Sequence, residues 1–404
     1  MDNEKVKKSK HFCSAIWGAI YQAPNGNIGP CCVYNGSFGN IQSQTLDDMY
    51  KSDKVAEVKR KMLNDEKVEE CNYCYGLEGE NQTSTSGRTS FNKTLFNKLD
   101  LKKEEPEFIY WDIRITNLCN FKCRMCNPEL SSEWKEDWAK LGLEDTQNKV
   151  ITVDRKNRFF SDLQEHYKYV KHIYFAGGEP FLSSQHYKIL DDLKSLNLEK
   201  QVEIRVNTNL SIRTYKKKRV LDYYEGFDNV FFGFSIDGSY GIGEYIRKGL
   251  NYIEWKENVK EYVEYTEKCN NWSITYGFQI TYGAMNFHNL FDFILDLYDS
   301  NLINKFCKFQ FQPIQDPEEQ SLKALPTQVV KDCIDRLKTI EQKLKGVDEI
   351  VLDTLRTELE EVYIFAEASK HSPELTDSLF SKAEELDKIR DESIFEHLPD
   401  YRKM

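Results

Sequence analysis

Cys119-Asn120-Phe121-Lys122-Cys123-Arg124-Met125-Cys126 places three thiols at spacings of three and two intervening residues, directly after an apolar run at 108–115. A compact loop of this kind can aim three soft thiolates at one iron–sulfur cluster while the fourth iron keeps no protein ligand. An open iron is a place for chemistry. Tetrahedral zinc is the alternative, but it needs a fourth ligand, and the nearest histidines, His166 and His172, stand far along the chain.

Around this loop, short apolar or alternating runs at 108–115, 172–175, 202–206, 230–236, 272–280 and 306–311 read as strands. Segments of helical length separate them at 129–141, 185–196, 212–224, 250–268 and 290–298. Strands alternating with helices imply right-handed crossovers and a parallel sheet, hence an α/β fold. Six such strands can curl into an open barrel, whose chemistry gathers at the carboxyl ends of the strands. Residues 1–106 form a small cysteine-centred unit with one amphipathic helix near 45–64, closed by the charged link Leu101-Lys-Lys-Glu-Glu-Pro106. After about 316 the chain reads as helical, with apolar residues repeating at three and four over 327–344, 347–368 and 375–389, and carries no interpretable motif.

The 404 residues carry 55 Lys+Arg and 66 Asp+Glu, a formal net charge of −11. With 40% hydrophobic and 13% aromatic residues the chain can fill a sizeable core. The acid excess disfavours a nucleic-acid partner, because phosphate binding needs a basic footprint. No stretch approaches the roughly 20 apolar residues that cross a bilayer, and the start MDNEKVKKSKHFCSAIW has no apolar leader core, so no membrane partner and a cytoplasmic location are expected. Eight of the eleven cysteines lie in the first 126 residues at ligand-like spacings, which in a reducing compartment reads as metal binding rather than cross-linking. Cys269, Cys307 and Cys333 have no paired spacing and read as small core residues.

The expected strand ends carry further polar groups. After the second strand comes Gly177-Gly178-Glu179-Pro180, where paired glycines allow close backbone approach, the carboxylate can accept hydrogen bonds from an ammonium and the proline stiffens the exit. Alone, this is a turn. The third strand runs into Asn207-Thr208-Asn209-Leu210-Ser211, for which helix capping by Ser211 is the plain alternative. The fourth ends in Ser235-Ile236-Asp237-Gly238, otherwise an Asp-Gly turn, and Arg247 reads at a helix start, otherwise a solvated arginine. Asn286, Gln310 and Gln312 are weaker substrate-side candidates. In the N-terminal unit Cys13 is followed by Gly26 and, after four residues, Cys31; Cys32 is adjacent and Cys71-Asn-Tyr-Cys74 closes the set. Four thiols from three places can enclose a complete cluster with no open iron, though they also suit zinc.

The C-x3-C-x2-C loop after the first strand resembles the motif of the radical S-adenosylmethionine (SAM) superfamily. The resemblance implies a partial (β/α)6 barrel at 107–315 in which Cys119, Cys123 and Cys126 hold a 4Fe-4S cluster whose open iron is chelated by the amino and carboxylate groups of SAM. One electron then cleaves SAM to methionine and a 5'-deoxyadenosyl radical that abstracts hydrogen from a substrate, the cofactor carrying the difficult step. Gly177, Gly178, Glu179 and Pro180 resemble the family's GGEP motif for the SAM amino group. Thr208, Asn209 and Ser211 then face the ribose and carboxylate, Ser235 and Asp237 resemble the S-x-D-G strand end, and Arg247 pairs with the carboxylate. Met125 stands where the family often has an aromatic residue, and its thioether can still cover an adenine.

The N-terminal cysteines resemble the auxiliary-cluster domains called SPASM and twitch, with C-x(9-15)-G-x4-C ahead of C-x2-C. This implies a second, auxiliary 4Fe-4S cluster on Cys13, Cys31, Cys71 and Cys74 within 1–106, with Cys32 left buried as the alternative to Cys31. One cluster's worth of cysteine favours twitch over the two-cluster form. In the best-known relatives this module follows the barrel; here it precedes it, with 316–404 as a helical extension. A flavodoxin or ferredoxin-type reductant is implied, together with a substrate that is a peptide or protein side chain, or else a small metabolite such as a sugar or nucleoside. The competing classes are a non-catalytic zinc or iron–sulfur module, and a SAM enzyme that transfers a methyl or aminocarboxypropyl group.

Overall fold

The computed structural model describes residues 6, 8–80, 86–103, 105–143 and 158–398; Glu104 of the expected link lies outside them. The chain divides into two compact units, Met1–Asn117 with Ile151–Arg205, and Leu118–Val150 with Val206–Met404. Strands alternate with helices in the expected α/β class. Among the described residues no helix is long and apolar enough to cross a membrane.

In the first unit the Tyr110–Ile113 strand pairs in parallel with His172–Phe175, setting Trp111 opposite Ile173 and Ile113 opposite Phe175. All four side chains are buried. A strand that the sequence reading did not assign, Ala19–Gln22, pairs in parallel on the other edge of Tyr110–Ile113 and antiparallel with Asn27–Gly29. It is four residues long, follows directly on the short helix Ala15–Gly18 and runs into the Ala23–Gly26 turn, too short for its alternation to stand out. The helix expected near 45–64 is two helices, Leu46–Tyr50 and Asp53–Leu63. Thr45 and Asp48 form a reciprocal capping box on the first. Ser52 caps the second from extended backbone, so the chain turns there although its apolar period runs on.

In the second unit Val230–Ser235, Ile274–Tyr282 and Cys307–Pro313 run parallel in that order. Phe232 and Phe234 are buried, each packing edge-on against Tyr262 of helix Tyr252–Cys269 at centroid distances of 5.0 and 5.1 Å. Burial of this kind contributes about 1.5–3 kcal/mol per side chain. Strand Glu203–Thr208 straddles the division, with Ile204, Val206 and Thr208 buried and the alternate residues half-buried. The region expected as a helix at 212–224 is instead a hairpin of Thr214–Tyr215 and Lys218–Arg219, followed by a short 3-10 turn. Lys216 and Lys217 both take positive φ, 47° and 65°, the turn that matches strand twist in a two-residue hairpin. Arg247 does not start a helix. It follows the end of Tyr240–Ile246 and pairs, with Lys248, antiparallel to Lys122-Cys123. The helix expected at 327–344 ends at Leu337, with a separate 3-10 turn at Ile340–Gln342.

Candidate functional site

The three cysteines of the loop are in the second unit, Cys119 and Cys123 buried and Cys126 half-buried. The Phe121 N–H points at Cys119 Sγ from 3.4 Å, and the Asn209 amide lies 3.9 Å from the same sulfur. Asn209 also donates to Asn120 Oδ1 at 3.0 Å and accepts from Ser211 Oγ at 2.6 Å, while Asn120 donates to Ser211 at 2.8 Å. No helix follows Ser211, so its hydroxyl braces the cysteine loop rather than capping. Arg247 Nη1 stands 3.7 Å from Cys123 Sγ, and its guanidinium is paired with Asp237 at 2.7 and 3.0 Å. Asp237 is fully buried and also accepts from the Thr281 N–H at 2.8 Å. Asn286 fixes that strand end, donating to the Asp237 and Thr281 carbonyls at 2.6 and 2.9 Å.

These contacts set the charge state. A hydrogen bond from Cys126 holds the Cys123 thiol below its usual range against burial, with Arg247 adding to the effect; that bond and burial push Cys126 up. Burial works against the Arg247 charge, but Asp237 and Cys123 more than offset it. The donor set fits a cluster: buried soft ligands on one short loop, an N–H aimed at sulfur and a fixed cation beside one thiolate.

Thr208 lies on the buried face of its strand, where its hydroxyl accepts from the Leu210 N–H at 2.9 Å. The residue on the opposite face, Asn207, was not singled out from the sequence. Its Oδ1 is buried and has no hydrogen-bond partner among the described residues. A Cβ on Gly233 of the neighbouring element would sit 2.5 Å from that oxygen, so only glycine leaves room for it. The alternation of this strand, three half-buried residues at every second place, was the signal that could have found it. Ser235 is half-buried at its strand end, and Gln310 accepts from Gln279.

Next to Cys126 is a cavity of about 600 Å³ lined by Met125, Cys126, Asn127, Leu130, Trp134, Trp138, Met285 and Gln320, with Leu379, Lys382 and Leu386 of helix Pro373–Arg390 on its far wall.

Gly177 to Pro180 belong to the first unit. Gly177 has φ +110°, and a Cβ there would lie 3.0 Å from the Thr116 carbonyl, which accepts from the Gly178 N–H at 2.9 Å. Glu179 is fully buried and accepts from the Phe181 N–H at 3.0 Å as the chain enters Pro180–Leu182.

The second set of thiols is also in the first unit. Cys13 and Cys74 are buried, Cys31 and Cys71 half-buried. Burial pushes Cys13 and Cys71 up to about 12, with Cys71 and Cys74 adding to the first and Cys74 and Glu70 to the second. Cys31 is driven well above its usual range by burial and then by Cys13 and Cys32. Cys13 thus lies within electrostatic reach of Cys31, Cys71 and Cys74. Arg88 acts on Cys13, donates to the Phe12 carbonyl at 3.0 Å and pairs with Glu78 at 2.9 Å. Cys32 was expected to be buried and is exposed. After burial of its sulfur its strongest influences are Arg114 and Asp112, the two cysteines standing in a turn closed by the Tyr34 N–H on the Cys31 carbonyl. Cys307 is buried; Cys269 and Cys333 are half-buried. Among the described residues no three His, Cys, Asp or Glu side chains stand close enough to chelate a single ion.

Residues 113–283 match the radical SAM superfamily and residues 13–75 match SPASM, an iron–sulfur cluster-binding domain. The chain therefore carries a radical SAM domain, with an iron–sulfur cluster-binding domain placed N-terminally of it. Among solved structures it is similar to Streptococcus suis SuiB bound to S-adenosylmethionine, at 10% identity and TM-score 0.36 over 74% of this chain and 56% of SuiB. SuiB bound to the precursor peptide SuiA gives 11% identity and TM-score 0.36 over 72% of this chain and 60% of SuiB. TYW1 with a lysine-pyruvate adduct gives 15% identity and TM-score 0.30 over 57% of this chain and 71% of TYW1. The chain thus spans little more than half of SuiB. No curated protein matches significantly.

Proposed function

We propose that the protein reductively cleaves SAM at a 4Fe-4S cluster held by Cys119, Cys123 and Cys126, and that a second 4Fe-4S cluster is held by Cys13, Cys31, Cys71 and Cys74. The observation that carries this reading is the Cys123–Arg247–Asp237 arrangement: a buried thiol on the cysteine loop with a guanidinium 3.7 Å from its sulfur, the other side of that guanidinium already fixed by a carboxylate. When bound, such a cluster supplies the electron that splits SAM into methionine and a 5'-deoxyadenosyl radical able to take hydrogen from a substrate.

The remaining work falls to the chain. Arg247 offsets thiolate charge, and the Phe121 N–H and Asn209 amide orient Cys119. Asn207 Oδ1 accepts a hydroxyl of the SAM ribose, and Thr208, whose hydroxyl accepts from the Leu210 N–H, adds a contact from the adjoining strand end. The Gly177–Gly178 backbone and Glu179 hold the SAM ammonium, Ser211 and Ser235 add polar contacts, and Met125 covers the adenine. The cavity beside Cys126 admits a side chain of a peptide or protein, because its aromatic and aliphatic walls and its volume suit a group of that size. A flavodoxin or ferredoxin-type protein supplies the electron.

Anaerobic reconstitution followed by dithionite and SAM tests the reading: the wild type is expected to form 5'-deoxyadenosine, and Cys123→Ala to form none with circular dichroism unchanged. Undiminished 5'-deoxyadenosine from Cys123→Ala would overturn it, whereas S-adenosylhomocysteine or methylthioadenosine as product would point to group transfer.

A further inference from the structure

The C-terminal helices, silent in the sequence, reach the cysteine loop through two buried arginines. Arg124 lies between Cys123 and Cys126, and its side chain is 1% exposed. Its N–H donates to the Ile246 carbonyl at 2.8 Å, its Nε to the Tyr245 carbonyl at 3.0 Å, and its own carbonyl accepts from Gln320 at 2.9 Å. The guanidinium stacks 3.6 Å from the Tyr245 ring centre. Its Nη2 pairs with Asp387 and, at 2.7 Å, with Glu392. Asp387 is held in turn by the Tyr245 hydroxyl at 3.0 Å and the Ile394 N–H at 2.6 Å, and Glu392 by Lys248 at 2.6 Å.

The second arginine, Arg390, is also 1% exposed and donates to Asp137 at 2.8 Å. Asp137 accepts from Lys122, the residue before Cys123, at 2.9 Å. Arg390 also covers the Trp134 ring at 4.6 Å, and the Trp134 indole donates to the Cys123 carbonyl at 2.8 Å.

Buried ion pairs recover their desolvation cost only when geometry and hydrogen bonding are nearly complete, and they are weak devices for stability alone. Here both arms converge on the residues that flank or carry Cys123, a loop whose sulfur positions decide cluster retention. We propose that Asp387, Glu392 and Arg390 are positioning residues that clamp the Cys119–Cys126 loop in its ligating shape, so that the C-terminal helices govern how firmly the SAM-binding cluster is held. The clamp rests on the function proposed above.

The test compares reconstituted wild-type protein with the double variant Asp387→Asn, Glu392→Gln and with Glu384→Gln, an exposed carboxylate on the same helix. Iron release to a chelator is followed alongside the electron paramagnetic resonance signals of the reduced protein. Only a cluster with an open iron changes its signal when SAM is added, so the two clusters are told apart in one sample. The double variant is expected to lose the SAM-responsive cluster about tenfold faster while the unresponsive signal keeps its wild-type intensity. Glu384→Gln is expected to behave as wild type.

Wild-type retention of the SAM-responsive cluster in the double variant overturns the clamp alone. Equal loss of both clusters overturns it too, since that is general destabilisation. Absence of any SAM-responsive cluster from the wild type overturns the proposed function, and the clamp with it.

Discussion

At the residue scale the informative groups are those whose surroundings decide between two sequence readings. Cys31 and Cys32 are neighbours that spacing alone separates only by a count from Gly26. In the structure burial raises Cys31 first, then Cys13, Cys32 and more weakly Cys74, whereas Cys32 is an exposed residue whose strongest charged neighbours are Arg114 and Asp112. Cys31→Ala is therefore expected to remove about half of the reconstituted iron, and Cys32→Ala none, by iron and sulfide analysis. The reverse result would exchange their roles. His186 is fully buried against Phe175 and Phe181 at 4.4 and 5.5 Å, and burial pulls its pKa down to about 3. Below its unfolded value of about 6.5 the unfolded chain takes up a proton that the folded chain refuses, so stability falls as pH drops from 6.5 towards 3, by up to about 4–5 kcal/mol. His186→Phe should flatten that fall in urea unfolding at pH 6 and pH 4; a wild-type difference between the two would remove His186 as its source.

At the element scale, strand ends and turns carry the site. Gly177 combines φ +110° with a Cβ position 3.0 Å from a backbone carbonyl, so Gly177→Ala adds backbone strain to a contact that cannot swing away. A loss of about 1–3 kcal/mol is expected in denaturant unfolding. An unchanged midpoint would show that the turn relaxes. Arg247 shows how an element's type changes a residue's job. At a helix start it could only reach outward; as the first residue of a two-stranded bridge opposite Cys123 it is held beside the sulfur. Asp237→Asn leaves that guanidinium paired to a neutral group in a buried site. The expected outcome is weaker SAM binding in anaerobic titration with the chain still folded.

At the scale of the whole molecule, thiols pushed above their usual range by burial and by one another stay protonated until a soft metal replaces the protons. Stripping iron with a chelator should thus lower the thermal midpoint, and the drop should be smaller at lower pH, where protons compete with metal and weaken the ligation that is removed. An unchanged midpoint would show that the N-terminal domain folds without a cluster. Much was legible in the chain itself: the C-x3-C-x2-C loop, the second cysteine set, the strand–helix alternation and the glycine–carboxylate turn are local, because ligand spacing, backbone freedom and side-chain period are properties of a few consecutive residues. Tertiary structure alone decided that 214–219 is a hairpin, that Asn207 buries an amide oxygen without a partner among the described residues, that Asp237 fixes Arg247, and that Asp387 and Glu392 close on Arg124 from more than 260 residues away. Those pairings are set by which buried charges and faces meet when the chain packs, and separation along a sequence carries no trace of that.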